Sequence, residues 1–215
     1  MSKDSLRESL KEPRLAQLLM HPAIWRGRSS AAIPCFSSGF QLLDTGLPGG
    51  GWPQTGLVEI LTPYHGLGEL RLLMPMLAQA SHAEPARWIT WIAPPFEPYA
   101  PALVAHGLAL ARQLIVRTET ALWAMEQALG GGACTVALTW VRRASPRSIR
   151  RLQIASERGQ TLGFVFRALS SARESSAAQL RLILNPRPGG LRVTLHKSRG
   201  GTRAPIDIDW PSGHG

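Results

Sequence analysis

The stretch Thr62-Pro63-Tyr64-His65-Gly66-Leu67-Gly68-Glu69-Leu70 lies between an apolar run, Leu57 to Leu61, and a helix-like run, Leu70 to Gln79. A glycine-rich turn in that setting can cradle phosphates with its amides, provided a lysine reaches the β- and γ-phosphates and a Ser or Thr hydroxyl holds Mg²⁺. Gly66 and Gly68 meet the need for a turn. The lysine and hydroxyl positions are taken by Gly68-Glu69 or Glu69-Leu70, according to where the gap is placed. At about 4 Å and an effective dielectric near 20, a carboxylate in place of an ammonium exchanges attraction for repulsion worth on the order of 8 kcal/mol before relaxation. The strand expected to supply a Mg²⁺-binding Asp, Thr135 to Trp140, contains no acid, and the place of a water-activating Glu falls near Pro95. The chemical requirements of nucleotide hydrolysis are missing together. Neither His65 nor Glu97 restores a metal site. The expectation is a binding protein with no catalytic residue, no metal and no cofactor.

A second chemistry-bearing set is cationic. Arg142 and Arg143 precede a helix that carries Arg147, Arg150, Arg151 and Arg158; Arg167 follows at a strand end and Arg173 in the Ser- and Ala-rich loop Ala168 to Ala178. At helical spacing Arg147, Arg151 and Arg158 share one face, and Ile149, Leu152 and Ala155 form the opposing stripe. Guanidinium forks suit phosphate and carboxylate alike. The formal net charge of the chain is +10 at pH 7. The excess sits wholly in the last third, since up to Thr139 the Lys/Arg and Asp/Glu counts are equal, and from Trp140 to Arg203 the acids are Glu157 and Glu174. An anionic partner is expected there, either nucleic acid or an acidic protein surface.

The elements that position these residues alternate. Strands are expected at Leu57–Leu61, Trp88–Ile92, Leu114–Arg117, Thr135–Trp140 and Thr161–Phe166. Helices fall between them: Leu70–Gln79 with an irregularity at Pro75, Tyr99–His106 closed by Gly107, one from Ala121 to Leu129 capped by Thr118, and one opened by Ser145-Pro146 and closed by Gly159. Strands Leu180–Leu184, Leu191–His196 and Ile206–Trp210 follow without helices. This order predicts an α/β fold: a mainly parallel sheet flanked by helices, with antiparallel strands at the C-terminal edge. Residues 1–28 read as a separate helical extension, with Leu15, Leu18, Leu19 and Ile24 on one stripe, and residues 29–215 as the domain.

Trp88, Trp91, Trp123 and Trp140 fall on regular elements and are expected in the core; Trp25, Trp52 and Trp210 fall near ends or loops and are candidate interface anchors, Trp25 first. Cys35 and Cys134 form no metal or redox pattern and read as small buried hydrophobes. With no apolar run of membrane-spanning length and no signal peptide, the reading is cytoplasmic, without a membrane partner.

Three segments in order, Ser38-Gly39-Phe40-Gln41-Leu42-Leu43-Asp44, Gly49-Gly50-Gly51-Trp52-Pro53 and Gly56-Leu57-Val58-Glu59-Ile60, resemble the approach to the phosphate loop of RecA-type recombinases. The resemblance runs from about Ile33 onward and implies a RecA-like core with a degenerate phosphate loop. Gly66 to Pro75, His21 to Gly27, Trp88 to Ile92 and Pro94-Pro95 are further similar to the ImuA family, itself related to SulA-like proteins. That resemblance implies a non-catalytic accessory protein of SOS-induced translesion DNA synthesis and mutagenesis. Its implied partners are ImuB, an inactive Y-family polymerase homologue captured with Trp25 as an anchor, and, indirectly, an error-prone C-family polymerase. RecA and single-stranded DNA are candidate contacts, the latter on the arginine face. Two alternatives stand beside it: a SulA-like cell-division inhibitor binding FtsZ, and a RecA-like ATPase with a remodelled loop.

Overall fold

The structure, a computed structural model, describes residues 34–198, 200–201 and 204–210. The expected extension at 1–28, and Trp25 with it, lie outside the described residues.

An eight-stranded sheet carries the molecule. Its strands are β3 (Gly56–Thr62), β4 (Trp88–Ile92), β5 (Gln113–Val116), β6 (Cys134–Trp140), β7 (Leu162–Ala168), β8 (Leu180–Arg187), β9 (Gly190–Lys197) and β10 (Ile206–Asp209). Across the sheet the order is β10-β9-β8-β3-β7-β6-β4-β5. The six strands from β8 to β5 run parallel, and β9 and β10 pair antiparallel at the other edge. Every residue of β3 is buried, as a central parallel strand covered on both faces requires. Two two-residue strands, β1 (Cys35–Phe36) and β2 (Trp52–Pro53), form a separate antiparallel pair.

Among the described residues five α-helices accompany the sheet: α1 (Gln41–Gly46), α2 (Glu69–Ser81), α3 (Ala100–Ala105), α4 (Ala121–Gly130) and α5 (Pro146–Gly159). One core layer joins Leu72, Leu73 and Leu77 of α2 and Leu103 of α3 to Trp91, Leu138 and Phe164. The opposite layer joins Met125 and Leu129 of α4 and Ile149 and Leu152 of α5 to Leu57, Ile92 and Val165. So α2 and α3 cover one face of the sheet, and α4 and α5 the other.

Local chemistry explains most boundaries. Ser145 Oγ accepts the Ser148 amide at 3.1 Å, with Pro146 in the first turn, so α5 starts where expected. It ends at Gly159, as expected, with Gln160 taking the left-handed cap conformation (φ 50°) in place of a glycine. Gly159 serves close packing instead, because a Cβ there would run into the backbone at Leu129 and Gly130 at the end of α4. Thr118 does not cap α4. Its hydroxyl accepts the Thr120 amide at 3.1 Å, and Thr120 is the cap residue. Pro75 lies inside α2 without ending it. The short α1 was not foreseen; Asp44 on it ties back to the preceding loop, accepting from Ser37 Oγ at 2.7 Å and from the Ser38 amide at 2.8 Å.

The tryptophan expectations hold in part. Trp91 and Trp140 are buried, but Trp88 is 42% and Trp123 62% exposed. Trp52, expected as an interface anchor, is fully buried edge-on against Phe164. A position near a loop does not fix exposure when the following strand pair folds the loop over the core.

Candidate partner-binding site

The loop after β3 is closed by its own side chain. Gly66 (φ 85°) and Gly68 (φ 106°) both adopt the left-handed region, where glycine carries no steric cost. Their amides converge on the first helical residue of α2. Gly66 N–H donates to Glu69 Oε1 at 2.8 Å and Gly68 N–H to Oε2 at 3.1 Å. Glu69 is only 4% exposed. Its carboxylate therefore occupies the place between helix N-terminus and turn that would take a phosphate. The sequence placed a repelling charge here; the geometry adds that the charge is an internal ligand for the amides. An added Cβ at Gly68 would come within 2.8 Å of the Trp210 ring, so Trp210, half-buried against Phe40, clasps the loop from outside. Arg71 lies over the same ring at 4.9 Å, a cation–π contact.

Beside this closed loop, at the carboxyl ends of β3, β4 and β6, opens an apolar cleft of about 210 Å³. Met74, Trp91, Leu103 and Trp140 line it, together with Pro94 to Tyr99. Trp140 stacks on Phe166 at 4.6 Å, which fixes the cleft floor. The rim is unusual for an apolar surface facing solvent: Phe96 is 74% and Tyr99 70% exposed. Clustered exposed aromatics around a concave apolar site are the composition of a binding surface. Ala93, just after β4, has φ 46°, and its N–H donates to Val116 O at 2.8 Å; a left-handed alanine is the kind of strain that collects at functional sites.

The predicted arginine face is divided. Arg142, Arg143, Arg147 and Arg150 are exposed, and no carboxylate pairs with them among the described residues. Arg173 is exposed in a 3-10 turn after β7. Arg151 is occupied, donating from Nε and Nη2 to Glu126 on α4. Arg158 lies at the opposite end of α5, against Gly130. Arg167 is not a surface residue at all. It is 1% exposed and donates to Glu59 at 2.7 Å and to Glu174 at 2.7 Å. Burial works against its charge, and the bonds to Glu59 and Glu174 outweigh that, raising its pKa above the usual arginine value.

The other arm of that buried cluster went unnoticed in the sequence. Arg181 Nε approaches the second Glu59 oxygen at 2.7 Å, while its terminal nitrogens donate to the carbonyls of Ser171 and Glu174. The pair thus pins the turn after β7 to the sheet. The signal was available: an acid inside the wholly apolar run of β3 has to find buried cations.

Among the described residues no group of His, Cys, Asp or Glu is arranged to hold a metal ion, and no helix is long and apolar enough to cross a membrane.

Residues 64–163 match the family model "Cell division inhibitor SulA". The chain is 33% identical over 114 residues to the cell division inhibitor SulA of Photorhabdus laumondii, and 31% identical over 109 residues to that of Yersinia pestis. These alignments take in 52% and 49% of this chain and 63% and 64% of the relatives, so the match spans less than two thirds of either relative. The crystal structure of SulA from Pseudomonas aeruginosa aligns with 52% of this chain and 97% of its own, at 29% identity and a TM-score of 0.45. The chain is thus similar to SulA over its middle. These matches overturn the expectation of an ImuA-type translesion adaptor: the similarity found is to cell-division inhibitors, and ImuB, the C-family polymerase, RecA and single-stranded DNA lose their support as partners.

Proposed function

We propose that this chain is a SulA-like cell-division inhibitor that acts by binding FtsZ, without nucleotide turnover. The observation that carries the reading is the match of residues 64–163 to the SulA model, a segment that contains the apolar cleft and all of its aromatic rim. FtsZ enters as the partner implied by the SulA likeness. Phe96 and Tyr99 are then the apolar anchors, since a few desolvated aromatics carry most of the energy of a protein interface. The core that presents them is RecA-like, with a degenerate loop after a central β3 flanked by β7 and β8; the strand order and the position of the loop support this. A remodelled ATPase is disfavoured because the anion cradle already holds Glu69.

The test is co-sedimentation of purified FtsZ polymers with GTP, alongside expression in growing cells. Wild-type protein is expected to capture FtsZ, reduce the pelleted polymer and cause filamentation. Phe96→Ala with Tyr99→Ala should weaken capture by about tenfold or more, the scale of losing interface anchors. Failure of the folded wild-type protein either to bind FtsZ or to filament cells overturns the reading.

A further inference from the structure

A second cleft opens on the other side of the β4 strand end, and the FtsZ reading makes no use of it. The chain leaving β4 turns to α3 on one face of the sheet, and the chain leaving the neighbouring β5 turns to α4 on the opposite face. Neighbouring parallel strands whose connections diverge leave a crevice at their carboxyl ends, the usual ligand position in open α/β sheets. Here the crevice is real, about 510 Å³, and is bounded by Ala93, Thr118 to Trp123 and Trp140 to Arg143.

Its lining joins two chemistries. Trp123, on the first turn of α4, presents a 62% exposed ring, and Trp140 supplies part of the floor. Arg142 and Arg143 stand on the wall after β6, exposed and without a carboxylate partner among the described residues. Arg147, the second residue of α5, is also exposed. The cations near this cleft are few and close together. Along the first half of α5 only Arg147 and Arg150 stand exposed and unpaired among the described residues, since Arg151 is held by Glu126 and Arg158 lies at the far end of the helix; Arg167, on β7, is buried. Glu119 on the facing wall adds a charge that repels a polyanion. A short ligand with one or two carboxylates beside an apolar side chain fits these constraints better than a nucleic acid strand.

We propose that this cleft binds an acidic peptide segment of a partner protein, with its carboxylates on Arg142 and Arg143 and an adjacent apolar side chain against Trp123 and Trp140. The binding is independent of whether FtsZ is the partner at the first cleft.

The test uses a fluorescein-labelled peptide of alternating aspartate and phenylalanine, read by anisotropy, with its asparagine–phenylalanine counterpart and a labelled oligothymidylate as parallel probes. The aspartate peptide is expected to bind, and the asparagine peptide to lose most of that affinity. Arg142→Glu with Arg143→Glu should weaken binding about tenfold or more, and Trp123→Ala by several-fold, the usual cost of removing interfacial charges and aromatic anchors. All three positions are solvent-exposed, and circular dichroism checks that the variants fold. Equal binding of both peptides, or unchanged binding by the folded charge-reversal variant, overturns the proposal. Oligothymidylate binding that is tighter and displaces the peptide also overturns it, and gives the cleft to nucleic acid instead.

Discussion

Glu69 and Glu59 show how differently two carboxylates behave once the fold places them. Glu69 satisfies two turn amides, so Glu69→Ala leaves them in a part-buried site without an acceptor. The expected cost is about 1–3 kcal/mol by urea denaturation; a variant as stable as wild type would mean the amides find water or another partner. Glu59 lies fully buried between Arg167 and Arg181. Neutralising it as Glu59→Gln leaves buried Arg181 without a carboxylate and Arg167 with Glu174 alone, for an expected loss of about 3–5 kcal/mol. Replacing all three residues by apolar side chains of similar size should recover much of that, because the ion cluster is costly to desolvate in the first place. Asp207, by contrast, sits at the surface. The bidentate bond from Arg192 holds its pKa below the ordinary carboxylate value. A depressed folded-state pKa contributes stability above the unfolded pKa of about 3.9, and that contribution is lost as pH falls through the folded value. An NMR titration should find Asp207 titrating below the usual range, and Arg192→Ala should return it there.

At the scale of elements, α5 shows sequence periodicity at its most reliable. Ile149, Leu152 and Ala155 are buried as the spacing requires, at 0%, 1% and 5% exposure. The polar side of the same helix was less legible. Arg147 and Arg151 share a face by spacing, yet α4 packs alongside and offers Glu126 to Arg151 alone. Tryptophans divide in the same way. Trp52 lies in a two-residue strand that seats its ring under Phe164, and Trp123 lies on the outer side of α4. Trp52→Ala is therefore expected to cost about 3–5 kcal/mol, as large core truncations do, while Trp123→Ala should leave stability almost unchanged in a thermal melt. A large loss from Trp123→Ala would mean the ring is covered rather than free.

At the scale of the whole molecule, the alternation of short apolar runs with capped helices sufficed for the α/β class, the parallel sheet and the antiparallel C-terminal edge, because burial on two faces and local capping act over a few residues. The same local chemistry made the loss of lysine, hydroxyl and acid visible at the loop after β3, and so pointed to binding. It did not reach the partner. Motif likeness favoured a translesion adaptor, whereas the match over residues 64–163 is to a cell-division inhibitor. The clefts were equally out of reach. The first forms at the carboxyl ends of β3, β4 and β6 and the second at those of β4, β5 and β6, strands up to 84 residues apart in the chain, and their linings come from loops whose helices depart to opposite faces of the sheet. Composition could count the arginines and tryptophans. Only packing decided which were buried with an acid, which were matched on a neighbouring helix and which were left facing solvent beside a cleft, because exposure and ion pairing are set by neighbours in space rather than in sequence.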